Sequence, residues 1–123
     1  MNAAETDTRF YAAASTLPDA GEGLFAAESL AAGARLLVVG VLVEAGSVAD
    51  RCTSYADAYK LRAGNWLLIP VGWGAKVNHS RDPNVRKIVE RGSVYLEATR
   101  PIARGEEIVF TYSGYAAERF ALD

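Results

Sequence analysis

Apolar residues along this chain fall in short runs, broken by single glycines, prolines and charged pairs, and that punctuation predicts many short strands instead of a few long elements. An opening strand is expected over residues 10–14. Gly21-Glu22-Gly23 reads as a turn that leads into Leu24-Phe25-Ala26. The Val- and Leu-rich run 36–43 predicts one strand buried on both faces. Residues 48–61 are the single stretch with helical leanings, weakened by Cys52-Thr53-Ser54, and the apolar run 66–69 is stopped by Pro70. Strands over 85–89 and 93–99 flank a hairpin turn at Arg91-Gly92. In the second of these, Val94, Leu96 and Ala98 alternate with Tyr95, Glu97 and Thr99, the signature of a half-buried strand. A turn at Arg104-Gly105, a last amphipathic strand over 108–112 and a short helix over 115–121 complete the pattern, which predicts a mostly β fold of several small sheets.

Composition narrows the function classes. At 123 residues, 50% hydrophobic and 23% charged, the chain is expected to form one domain, 1–123, and is no disordered polymer. Its longest apolar run is far shorter than a bilayer-spanning helix, and its N-terminal residues carry acids without an apolar block. No membrane partner and a cytoplasmic location are therefore expected. Cys52 and His79 are the sole residues of their types, so neither an intrachain disulfide nor a Cys- and His-built zinc site can form, and no metal is expected. A formal net charge of −2 with scattered basic residues disfavours direct binding to nucleic acid.

Three segments hold candidate chemistry. Gly21-Glu22-Gly23-Leu24-Phe25-Ala26 lets backbone approach a ligand closely, though by itself Gly-x-Gly is most often a plain turn. Asn78-His79-Ser80-Arg81-Asp82-Pro83-Asn84 contains the one histidine, a residue type that in such a setting is more often satisfied by backbone than catalytic. Its match to a glycosylation sequon reads as coincidence in a chain without a secretory signal. Gly105-Glu106-Glu107-Ile108-Val109-Phe110-Thr111-Tyr112 is ordinary β grammar, in which adjacent carboxylates point to opposite faces and so make a poor glycosidase pair.

The order of the three is more specific than any one of them. Gly-x-Gly-Leu-Phe-Ala, then Asn-His-Ser-x-x-Pro-Asn, then Gly-Glu-Glu-Ile-x-Phe-x-Tyr resembles the SET-domain protein-lysine methyltransferases, with the motif-bearing core over 20–112 and small stand-alone viral-type members as the nearest in kind. That resemblance implies a β-clip of short curved sheets with a pseudoknot near the C-terminus. It implies S-adenosylmethionine as cofactor, bound by Gly21, Glu22, Gly23 and Leu24 together with Asn78 and His79, and by Tyr112 and Tyr115. It assigns Tyr112 as catalytic tyrosine, Tyr59 as a second tyrosine of the lysine channel ahead of Tyr55, and Phe110 as the residue whose missing hydroxyl leaves room for di- or trimethylation. The partner it implies is a protein substrate with a target lysine, such as a histone-like tail, placing a viral or effector protein in the host nucleus.

Such a site suits the reaction. Baring a lysine amine at pH 7 costs about 4 to 5 kcal/mol from its ordinary pKa of about 10.4. A sulfonium ~4 Å away opposes the charged form by roughly 4 kcal/mol at an effective dielectric near 20, and burial in an aromatic channel adds to it. No carboxylate base is needed. Two departures from the family are visible: Ala75-Lys76-Val77 stands where many members carry Arg-Phe, and the zinc-binding cysteines that often close the channel are absent. A lid over 113–123, with Tyr115 and Phe120, or the partner subunit of a homodimer, is expected in their place. The alternative reading is a SET-like module that binds peptide or cofactor with weak or lost catalysis.

Overall fold

The computed structural model of the chain describes residues 7–111. In order these form β1 (Phe10–Ala14), β2 (Glu22–Ala26), β3 (Arg35–Val38), β4 (Gly40–Glu44), helix α1 (Val48–Cys52), β5 (Leu61–Ala63), β6 (Trp66–Pro70), β7 (Asn78–His79), β8 (Val85–Glu90), β9 (Ser93–Ala98) and β10 (Glu107–Phe110). Short 3-10 turns occupy Ser54–Ala56 and Trp73–Lys76. The strands make three sheets, in the orders β1-β2-β10-β7, β3-β9-β8 and β4-β6-β5. The mostly β expectation of several small sheets holds.

One core cluster runs under the first two sheets, with Leu24, Leu36, Val94, Leu96, Ile102 and Ile108 each buried. Val43, Ala56, Leu67 and Ile69 form a smaller one beneath the third sheet. The β8–β9 hairpin matches the sequence reading closely. Arg91 (φ 52°) and Gly92 (φ 79°) both have positive φ across the Glu90–Ser93 pair, as a two-residue turn compatible with strand twist requires.

The run 36–43 is not one strand buried on both faces. It divides at Val39 into β3 and β4, which belong to different sheets. The cause sits at Gly40, where an added Cβ would lie 1.9 Å from the Ile69 carbonyl oxygen: the chain turns there against β6 with no room for a side chain. Beyond the turn Val41 and Leu42 are 56% and 49% exposed, so hydrophobicity alone misread their burial.

The helical stretch is also shorter than the 48–61 expected. α1 starts at Ser47, whose Oγ accepts from the Asp50 amide, and ends at Thr53, whose Oγ1 donates to the Ala49 carbonyl at 2.6 Å. The Lys60 ammonium then ties the segment down. It donates to the Asp50 carboxylate at 2.7 Å, the Asp57 carboxylate at 2.6 Å and the Asp50 carbonyl at 2.9 Å, with all three residues buried. Burial pulls that ammonium's pKa down, but the two carboxylates outweigh it and the net shift is upward.

The last strand begins at Glu107 and ends at Phe110, and all four of its residues are buried, so it is central and not amphipathic. Glu106 lies ahead of it, paired with Arg100 at 2.7 Å and capping the Ala103 amide at 3.0 Å. The two glutamates are therefore not neighbours on one strand. The helix expected over 115–121 lies outside the described residues.

Candidate functional site

β10 is the element that assembles the site. It pairs antiparallel with β2, placing Glu107 opposite Phe25 and Ile108 opposite Leu24, and parallel with β7, placing Val109 opposite Asn78 and Phe110 opposite His79. Two motifs more than fifty residues apart in the chain thus flank a third. Because side chains alternate across a sheet, Gly23, Phe25, Glu107, Val109 and Asn78 share one face, while Leu24, Ile108, Phe110 and His79 share the other. Leu24, Ile108 and Phe110 belong to the core cluster, and Leu24 also faces Ile108 in the strand ladder, so Leu24 shapes the site by packing.

The first face is organised by a buried carboxylate. Glu107 Oε2 accepts from the Ser15 hydroxyl at 2.7 Å and from Asn78 Nδ2 at 3.2 Å, and Oε1 accepts from the Thr16 amide at 2.8 Å and the Thr16 hydroxyl at 2.6 Å. Burial alone would raise its pKa, but these donors hold it below the ordinary glutamate value. The other Asn78 Nδ2 hydrogen goes to the Glu22 carbonyl at 3.0 Å. Gly23 leaves the space for this arrangement: a Cβ there would stand 2.4 Å from Glu107 Oε2 and 3.1 Å from Asn78 Nδ2. Its glycine serves close packing, whereas Gly21 at φ 68° serves the turn.

The segment after β7 is clamped to β10 by a second buried side chain. Asn84, 1% exposed, donates from Nδ2 to the Glu107 carbonyl at 2.7 Å and accepts at Oδ1 from the Val109 amide at 2.9 Å. Its own amide donates to the Val109 carbonyl at 3.1 Å, and the Ser80 amide donates to the Phe110 carbonyl at 3.0 Å. Asn84 thus does the work of one more strand residue where Pro83 precludes regular pairing.

Beside this face lies an exposed ion pair, Lys76 Nζ to Glu22 Oε1 at 2.6 Å. Lys76 also lines a cleft of about 320 Å³ together with Val71, Gly72, Trp73 and Ala75. The Trp73 indole N–H donates to the Asp7 carbonyl at 3.0 Å, which fixes the ring in the wall. The chain thus carries a cation within reach of the Gly-x-Gly turn despite lacking the usual Arg-Phe.

Of the residues expected in the site, Gly21, Glu22, Gly23, Leu24, Asn78, His79 and Phe110 come together on β2, β7, β10 and the turn before β2. Tyr59 lies on none of these strands: it is half-buried in the segment between α1 and β5 and packs against both core clusters, the larger of which includes Phe110, and Tyr55 is 76% exposed. Tyr112, Tyr115, Phe120 and the lid lie outside the described residues. Sequence reasoning missed Glu107, Ser15, Thr16 and Asn84 as parts of the site. For Asn84 a signal existed, since it closes the Asn-His-Ser motif; Ser15 and Thr16 carry none. Among the described residues no group of three His, Cys, Asp or Glu side chains could hold a metal ion.

A search of curated proteins finds no match. Among solved structures, a candidate histone methyltransferase of Plasmodium falciparum superposes with a TM-score of 0.67 at 22% identity, over 87% of this chain and 95% of that one. Polycomb Repressive Complex 2 of Chaetomium thermophilum, in an autoinhibited conformation bound to S-adenosylmethionine, gives 0.72 at 19% identity, over 91% of this chain and 16% of that one. A humanized mutant of the same complex bound to an inhibitor gives 0.73 at 21% identity, over 86% and 15%. These likenesses are of fold, and this chain spans only about a sixth of the Polycomb chain. The SET domain family model matches residues 21–113. With all three motifs inside that match and on adjoining strands of one sheet, the chain belongs to the SET-domain family.

Proposed function

We propose that this chain is an S-adenosylmethionine-dependent protein-lysine N-methyltransferase, formed as a single domain over 1–123. The observation that carries the reading is the junction of β2, β10 and β7, where the Gly-x-Gly turn and Asn78 meet in one hydrogen-bond network. The residues present fit the cofactor. The exposed Lys76–Glu22 pair offers a cation and an anion that match the carboxylate and ammonium of an amino-acid end group, and Asn78 Oδ1 adds an acceptor for the ammonium. When bound, S-adenosylmethionine supplies an electrophilic methyl on a sulfonium.

The protein's own contribution is positioning. Asn78 Oδ1 presents an acceptor, His79 stands beside it on β7, Leu24 packs beneath them, and Tyr59, Phe110 and Tyr112 are assigned to the aromatic channel that desolvates the lysine. Phe110, with no hydroxyl, favours di- and trimethylated products. The substrate class is a lysine-bearing protein, with a histone-like tail as the first to try, in the cytoplasm or a nucleus.

Calorimetry with S-adenosylmethionine, followed by transfer of tritiated methyl to lysate proteins and histone tails, tests the reading. Wild type is expected to bind and to label lysine, and Tyr112→Phe to lose about a hundredfold in rate, the cost of one oriented donor. Binding without labelling would assign the chain to a non-catalytic binding module, and no binding would remove the methyltransferase reading and leave the alternative as peptide recognition alone. Phe110→Tyr is expected to shift the product mass spectrum towards monomethyl-lysine; a wild type that stops at monomethyl refutes that role. Light scattering separates the two lids: residues 113–123 predict an active monomer, a second copy an active dimer.

A further inference from the structure

We infer that Glu107 is a positioning residue for the ligand contact made by Asn78, and that it extends the site to Ser15 and Thr16, which lie outside the three motifs. For the identity of the ligand, this rests on the methyltransferase reading. The argument is one of donors and acceptors. The Asn78 carboxamide has two N–H donors at Nδ2 and an acceptor at Oδ1. Nδ2 lies 3.0 Å from the Glu22 carbonyl and 3.2 Å from Glu107 Oε2, and both of these groups only accept. The flipped amide would set Oδ1 against two acceptors, so the orientation is dictated by chemistry. Both donors are spent on protein, and Oδ1 is what Asn78 can offer a ligand. The site at Asn78 therefore selects a donor group, such as an ammonium or amine, and rejects an acceptor.

Glu107 can enforce this because it is itself held. Three donors from Ser15 and Thr16 saturate the rest of its carboxylate and keep it ionised and immobile. The Ser15 hydroxyl also accepts from the Leu17 amide at 3.0 Å, and the Ser15 amide donates to the Gly21 carbonyl at 2.7 Å, so the connection from β1 to the Gly-x-Gly turn is tied to the same carboxylate. Replacing Glu107 with Gln keeps size and burial, but its NH₂ must face donors on at least one side. The Asn78 amide is then held by the Glu22 carbonyl alone and is pushed by the new NH₂, so Oδ1 is no longer fixed towards the ligand.

The test pairs a ligand-free readout with a binding cycle. In the apo protein, the Asn78 side-chain amide protons are expected to exchange slowly with solvent in nuclear magnetic resonance spectra, and at least tenfold faster in Glu107→Gln. In calorimetry, Glu107→Gln and Asn78→Ala are each expected to weaken S-adenosylmethionine binding at least tenfold, about 1.4 kcal/mol. The double variant should be no weaker than Asn78→Ala within about twofold, because Glu107 acts through Asn78. Additive losses, a Glu107→Gln affinity within twofold of wild type, or unchanged amide exchange overturn the proposal. Should Glu107→Gln fail to fold, Thr16→Val removes one donor and is expected to give the same non-additive pattern at about threefold. A wild type that binds no S-adenosylmethionine defeats the functional reading, while the amide exchange still decides the clamp.

Discussion

Gly23→Ala puts one methyl group into the most crowded point of the site. The new carbon would stand 2.4 Å from Glu107 Oε2 and 3.1 Å from both Glu107 Cδ and Asn78 Nδ2, where carbon and oxygen need about 3.3 Å or more. In an ordinary strand the change would help, since Ala loses less backbone entropy than Gly by about 0.5–1 kcal/mol. Here the carboxylate must retreat by about 1 Å, and the bonds at risk are those of Oε2 with Ser15 and Asn78. Each hydrogen bond to a charged group is worth about 1.5–3 kcal/mol, so losing both outweighs the gain and the net destabilisation is about 2–5.5 kcal/mol. Urea denaturation followed by tryptophan fluorescence measures it, with an unchanged m-value showing that the folded state remains compact. Glu107→Ala supplies the control: in that background the methyl has room, and the effect of Gly23→Ala should fall below about 1 kcal/mol. A Gly23→Ala protein as stable as wild type, with Glu107 in place, would refute the idea that this glycine exists to admit the carboxylate.

Other expectations follow from the buried polar groups. Asn84→Ala strips partners from the Glu107 carbonyl and the Val109 amide, and at about 1–3 kcal/mol for each buried group it should lower stability by about 2–6 kcal/mol in thermal melts. Lys60→Met leaves Asp50 and Asp57 buried without their cation, with an expected loss of about 3–5 kcal/mol at pH 7. Because the folded Lys60 pKa is raised, the pair's stabilisation is full below the ordinary lysine value of 10.5 and fades as pH rises through the folded value, so wild type should lose melting temperature more steeply than Lys60→Met in that alkaline range. Glu107 has the opposite sign. Its lowered pKa stabilises the fold above 4.5 and is lost as pH falls through the folded value, a slope that Glu107→Gln should lack in acid melts.

Much of the architecture was legible because local rules agreed with tertiary ones. Arg91-Gly92 makes a two-residue turn, and the alternation of Val94, Leu96 and Ala98 reports the buried face of β9, each a matter of local geometry. The run 36–43 was misread because its break depends on the approach of Gly40 to the Ile69 carbonyl, a contact across 29 residues that no local window contains. Helical leanings after Val48 likewise yielded to Thr53 and to the Lys60 triad.

The sequence by itself determined which groups could do chemistry. It lacks metal-ligand clusters of Cys and His, and it carries three motifs whose order marks the SET-domain family. Tertiary structure alone decided what the acidic pair is for. Glu106 and Glu107 look alike in the chain, yet one is a cap and surface ion pair at the Ala103 turn, while the other is buried among donors that lie 91, 92 and 29 residues away. A carboxylate's role follows from the donors around it, and those donors meet only when β10 enters between β2 and β7.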